Sequence, residues 1–253
     1  MKVLVNGQLI EYRKEGGGPA VLLLHGWGAT LGTFDQLAAH LVETGHTVYR
    51  FDFPGFGSSP HPGAAWSVGE YVDLTAAFIE KMKIKKLKAV VGHSFGGRVI
   101  IKGVATGKLR PERLILMAAA GIRPKPTFKK AAFTAIAKTG KAVTALPGLA
   151  GVRQKLQKKL YAAAGSSDYL QAGAMQQIFI NTIKEDLTEY LDEITRPTLL
   201  VWGEHDTETA LSDGKIMQQH IASAELVVVP QAGHFVYDDD FGASVTAIDR
   251  FLA

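Results

Sequence analysis

The chain has 253 residues, 47% of them hydrophobic and 21% charged, a balance that fits a folded globular protein and excludes long disordered stretches. Its 28 Lys and Arg against 24 Asp and Glu give a formal charge of +4, and with no recognition motif or aromatic stacking array beside them, nucleic acid is not an expected partner. There is no cysteine, which excludes disulfides, thiolate chemistry and cysteine-ligated metals.

The N-terminal run Met1-Lys2-Val3-Leu4-Val5 is too short for a signal peptide, and no later run is long enough to span a membrane, so cytoplasmic residence is the expectation. Lys2 to Val5 and Gln8 to Arg13 around Asn6-Gly7 read as a hairpin. Gly16-Gly17-Gly18 is a turn rather than a phosphate loop, because no Lys-Ser or Lys-Thr follows it. Apolar strands at 20–24, 47–51, 87–91 and 113–117 then alternate with helical stretches at 33–44, 67–81 and 95–105. The series resumes with a strand at 198–201, a helix at 211–220, a strand at 226–229 and a helix at 243–252. Such alternation predicts an α/β fold, a mostly parallel eight-stranded sheet with helices on both faces and the hairpin as its antiparallel edge.

The run Gly92-His93-Ser94-Phe95-Gly96 lies between a strand and a helix and reads as a nucleophile elbow, in which the flanking glycines let the two elements pass closely while the serine hydroxyl points out. A serine needs a base and an orienting acid. Asp206, beyond the strand ending at Trp202, and His234, beyond the strand ending at Val229, stand in the order Ser, Asp, His. Glu204 is the neighbouring alternative acid, whereas Ala118-Ala119-Ala120-Gly121 after the preceding strand offers no carboxylate. The turn His25-Gly26-Trp27-Gly28 can aim a backbone amide at a substrate oxygen, and the oxyanion hole is therefore expected from the N–H groups of Trp27 and Phe95. His25 and His93 are expected to be structural, and Arg98 to make a structural ion pair.

These segments, with Asp52-Phe53-Pro54-Gly55-Phe56-Gly57-Ser58-Ser59, resemble the serine hydrolases of the α/β-hydrolase superfamily, over about residues 18–121 and 195–253. The resemblance implies the α/β-hydrolase fold, a structural role for Asp52 and its glycine turn, and a helical cap inserted after the sixth strand. Serine at position 94 argues against the haloalkane dehalogenases and epoxide hydrolases, which carry aspartate there. The expected organisation is core at 1–121, cap at 122–191 and core again at 192–253.

The cap holds eleven of the 28 Lys and Arg but only four acids, leaving the rest of the chain net negative. Lysines at 155, 158 and 159 make a solvated helix face, although a basic lid could also meet an acidic carrier protein or an anionic surface. Phe133, Ile136 and Phe179 are candidate pocket linings. Asp238-Asp239-Asp240 is read as acid at a helix start rather than a metal cluster, and neither metal nor cofactor is expected.

The leading expectation is a carboxylesterase-type serine hydrolase that cleaves a small-molecule ester through an acyl-enzyme. A carbon–carbon bond hydrolase or an acyl-carrier-protein ester hydrolase would use the same residues. The short resemblance of 25–28 and 52–57 to pimeloyl carrier-protein methyl esterases fits the latter, but His93 stands where those carry tryptophan. A reading of another class is a ligand receptor of the same fold with slow turnover.

Overall fold

In a computed structural model describing residues 1–123 and 172–253, eight strands form one sheet: β1 (Lys2–Val5), β2 (Gln8–Gly16), β3 (Ala20–Leu24), β4 (Thr47–Phe51), β5 (Leu87–His93), β6 (Arg113–Met117), β7 (Thr198–Gly203) and β8 (Ala224–Val229). Their order across the sheet is β1-β2-β4-β3-β5-β6-β7-β8. β2 is antiparallel to β1 and to β4, and all other pairs are parallel. The hairpin turns on Asn6 and Gly7, both at positive φ (47° and 78°), the backbone that a two-residue turn between twisted strands requires. β2 runs three residues beyond its expected end at Arg13, because Tyr12 to Gly16 pair with Phe51 to Thr47.

The central strands read as unbroken apolar runs because both faces of the sheet are covered. Leu22 and Leu24 of β3, Leu114 and Leu116 of β6, and Leu200 and Trp202 of β7 enter one core with α2 (Val68–Lys81), α3 (Phe95–Ala105) and α5 (Leu211–His220). Their neighbours Val21, Leu23, Ile115, Met117, Leu199 and Val201 enter the opposite core with α1 (Asp35–Glu43) and α7 (Phe241–Leu252). Ser67 caps α2 in a box with Glu70, and a 3-10 turn capped by Thr30 (Leu31–Phe34) precedes α1.

From β3 the chain crosses first to β4 on one side and later to β5 on the other. This reversal opens a crevice beyond the carboxyl ends of β3 and β5, where open α/β sheets bind ligands. Its floor is formed by close packing. A Cβ on Gly96 would lie 2.1 Å from the Leu24 carbonyl oxygen, and one on Gly97 would lie 2.4 Å from Ala119 Cβ.

Between β6 and β7 the described chain returns through a 3-10 turn (Gly173–Met175), α4 (Gln176–Lys184) and a second 3-10 turn (Thr188–Glu193). Leu187 N–H donates to the Gly121 carbonyl at 2.9 Å, so the chain re-enters the core where it left. Arg98 departs from expectation here. Its buried guanidinium donates to the Glu185 main-chain carbonyl at 2.9 Å, while Lys102, one turn further on, makes the ion pair with the Glu185 side chain. Burial lowers the Arg98 pKa to about 10 against the opposing pull of Glu185 and Asp186, which leaves it charged at neutral pH. Of the pocket candidates, Phe133 and Ile136 lie outside the described residues, as do the cap lysines at 155, 158 and 159. Among the described residues no helix is long and apolar enough to cross a membrane.

Gly96→Ala should destabilise the fold by at least about 3 kcal/mol, since the obstructing atom is backbone and cannot swing aside. Gly17→Ala, with nothing within 4 Å of the added carbon, should change stability by less than about 0.5 kcal/mol. Denaturant unfolding of the two variants checks this, and equal midpoints would contradict the packing described.

Candidate active site

Ser94 follows the last residue of β5 and caps α3 with φ 48° and ψ −107°, a conformation in which an L-residue with a side chain is strained by about 1–3 kcal/mol. The surroundings hold it there. Its N–H donates to the Met117 carbonyl at 3.2 Å, and its own carbonyl accepts from the amides of Gly97 and Ala120, both at 3.0 Å. Gly92 and Gly96 allow the turn, because a Cβ on Gly92 would meet the Gly96 carbonyl carbon at 2.7 Å.

Asp206 and His234 come together from the loops after β7 and β8. His234 Nδ1–H donates to Asp206 Oδ2 at 2.9 Å, with both side chains buried. Asp206 Oδ1 accepts the amides of Glu208 (2.8 Å) and Thr209 (2.9 Å), the turn an Asp makes with the residues two and three ahead of it. Thr209 Oγ1 lies 2.8 Å from Oδ2 and 3.3 Å from His234 Nδ1. Burial alone would raise the Asp206 pKa, but the hydrogen bond and charge of His234 and the bonds from Thr209 outweigh it and hold the carboxyl below the usual carboxylate range. Glu204, the alternative acid, is exposed and accepts the Gln231 amide at 3.2 Å instead. With Nδ1 engaged, Nε2 is the free face of the His234 ring, and the acid beside it is Glu208, whose Oε2 lies 3.5 Å away. The sequence reading missed both Thr209 and Glu208. The only signal for them was the Asp-x-Glu-Thr spacing.

Two further histidines frame the site as fixed, neutral tautomers. His25 Nε2 accepts the Phe53 amide at 3.0 Å, so its Nδ1–H donates to the Gly26 carbonyl at 2.7 Å and shapes the turn before Trp27. His93 Nε2–H donates to the main-chain carbonyl of His234 at 3.0 Å, and its ring packs 4.7 Å from the His234 ring. His93 Nδ1 is buried, finds no partner among the described residues and faces Gly26, where an added Cβ would lie 2.7 Å away. Burial pushes the His25 pKa down to about 4, opposed by the Gly26 bond and Asp52. Burial, then the charge of His234, pushes that of His93 down to about 3.

The Asp52 carboxylate ties the opposite wall together, accepting Leu31 N–H at 2.6 Å and Ser58 N–H at 2.7 Å. Among the described residues neither the Trp27 nor the Phe95 amide is used in a backbone hydrogen bond. The Trp27 ring packs on Phe56 (4.9 Å), Phe95 (5.6 Å) and Phe179 (5.0 Å), so Phe179 of α4 touches the aromatic wall beside the crevice. Of the three acids at 238–240, Asp239 accepts the Gly233 amide next to His234 (2.7 Å) and Asp240 caps α7 through the Ala243 amide (2.9 Å).

The model of the alpha/beta hydrolase family matches residues 21–246, and the chain belongs to that family. It is 26% identical to an sn-1-specific diacylglycerol lipase of Mus musculus, over 93% of this chain and 81% of that one. It is also 26% identical to a pimeloyl-[acyl-carrier protein] methyl ester esterase of Nitrosomonas europaea, over 89% and 92%. An esterase structure from Exiguobacterium antarcticum has a TM-score of 0.77 at 22% identity, covering 99% of this chain and 98% of that one.

Buried neutral histidines make stability depend on acid. Below about pH 6.5 the unfolded chain protonates residues 25 and 93 while the fold refuses the protons until about pH 4 and about pH 3, so unfolding takes up protons and stability falls as pH drops. The slope should be flat above about pH 7 and reach up to about 3 kcal/mol per pH unit below pH 6. His93→Gln, which can still donate to the His234 carbonyl but does not titrate, should have a shallower acid slope. Denaturant unfolding from pH 8 to 4.5 measures this, and identical slopes for the two proteins would contradict the assignment.

Proposed function

We propose that this member of the alpha/beta hydrolase family cleaves carboxylic esters through an acyl-enzyme on Ser94. The observation that carries the proposal is the buried 2.9 Å bond from His234 Nδ1 to Asp206 Oδ2, which turns Nε2 away from the acid as the nitrogen able to accept a proton. His234 takes the Ser94 proton as Oγ attacks the ester carbonyl, and Asp206 stabilises the imidazolium. The amides of Trp27 and Phe95 receive the charge that develops on the carbonyl oxygen. As the tetrahedral intermediate collapses, His234 Nε2–H gives its proton to the leaving alkoxide. Water then repeats the attack with His234 as base, freeing the acid and restoring Ser94. Phe179, Trp27 and Phe56 supply apolar surface for the acyl chain.

The names of two relatives, a diacylglycerol lipase and a methyl ester esterase, favour ester cleavage as the reaction class. His93 acts as a positioning residue in this account, because its Nε2–H fixes the main chain from which the base projects.

A p-nitrophenyl ester series from acetate to palmitate tests the proposal. Turnover should show a chain-length optimum and be lost in Ser94→Ala, and Asp206→Asn should lower kcat by about 10³–10⁴-fold by imposing the wrong tautomer on the base. Undiminished turnover in Ser94→Ala would overturn the assignment.

A further inference from the structure

We propose that the leaving-alcohol side of the site selects an alcohol carrying a positively charged nitrogen, and that Glu208 is the residue that selects it. This rests on the ester-hydrolase reading and adds the substrate class to it. With Nδ1 of His234 bonded to Asp206, Nε2 is the nitrogen that must hand a proton to the departing oxygen, so the alcohol portion of the ester lies beside Nε2. Glu208 Oε2 is already there, 3.5 Å from Nε2.

The residue's backbone is held in place while its carboxylate, beside the His234 ring, stays open to solvent. Its main chain is pinned, because the Glu208 amide donates to Asp206 Oδ1 at 2.8 Å and the next residue, Thr209, is bonded through both its amide and its hydroxyl. Its side chain is 57% exposed, and among the described residues no Lys or Arg lies within ion-pair distance of it. Phe235, the residue after His234, is 45% exposed, its ring 5.5 Å from the His234 imidazole and steeply inclined to it and 5.4 Å from the His93 ring. An open carboxylate and an exposed aromatic ring, each beside the His234 imidazole, form a setting for an alkylammonium group, the one by charge and the other by cation–π attraction. A leaving group with its own carboxylate would meet Glu208 as a like charge.

The test uses three esters of the acid that the p-nitrophenyl series favours, made with choline, with 3,3-dimethylbutanol, its neutral isostere, and with glycolic acid. Hydrolysis is followed by pH-stat at low ionic strength for the wild type and Glu208→Gln. The wild type should prefer the choline ester to its neutral isostere by about fivefold in kcat/KM, the upper end for one carboxylate–cation pair open to water, and should disfavour the glycolate ester. Glu208→Gln should bring the choline and dimethylbutyl esters to within about twofold of each other, and added salt should shrink the wild-type preference. Equal rates on the two isosteres, or a preference that survives in Glu208→Gln, would overturn the proposal. If Ser94-dependent p-nitrophenyl turnover persists while the isostere ratio is flat, Glu208 loses its role and the esterase stands. If no ester of any kind is turned over, the esterase reading falls first.

Discussion

Ser94 can hold φ 48° only where β5, α3 and β3 approach to within backbone contact, and the geometry of the site depends on that constraint. A side chain at Gly92 or Gly96 would force these elements apart, and one at Gly97 would push α3 off Ala119 beyond β6. Close approach brings Ser94 N–H onto the Met117 carbonyl and Ala120 N–H onto the Ser94 carbonyl, so the end of β6 and the loop after it fix the strained residue on both sides. Packing across two apolar cores meets the cost of the strain, and Ser94 stays at the sheet's topological switch point.

Around that point burial fixes two imidazoles as neutral groups, while a third is bonded to a carboxylate. His25 is spent between the Phe53 amide and the Gly26 carbonyl, His93 donates to the His234 carbonyl with its Nδ1 finding no partner among the described residues, and burial keeps both neutral. Of these three histidines, His234 is the one bonded to a carboxylate. Asp206 in turn receives two amides and sits within reach of the Thr209 hydroxyl, so it stays ionised despite its burial. The neutral histidines shape the main chain, while the ionised aspartate sets the tautomer of His234.

The sheet was legible because its central strands are apolar on both faces, and the elbow because strand, turn and helix each leave a local mark in the sequence. β6 and α3 begin and end at their expected residues, and the Asn-Gly hairpin falls where its dipeptide lies. The pairing of Asp206 with His234 followed from strand order alone, since each sits just past a strand's carboxyl end. What was not legible depends on side chains from separate loops converging. Arg98 reads as an ion-pair former by type, yet the returning chain offers it a carbonyl and leaves the carboxylate to Lys102. Glu208 looks like a surface acid in sequence, and only the turn that Asp206 imposes brings it to Nε2. The β2 extension to Gly16 depends on a partner strand more than thirty residues away, which no local pattern reports.

The most direct measurement of the central claim is covalent labelling by a fluorophosphonate, which reacts with an activated serine and needs no knowledge of the substrate. Intact-mass and peptide analysis should find one adduct, on Ser94, formed at least about 10³-fold more slowly in His234→Ala because the serine loses its base. A folded protein that takes up no adduct, or one that labels equally fast without His234, would contradict the account.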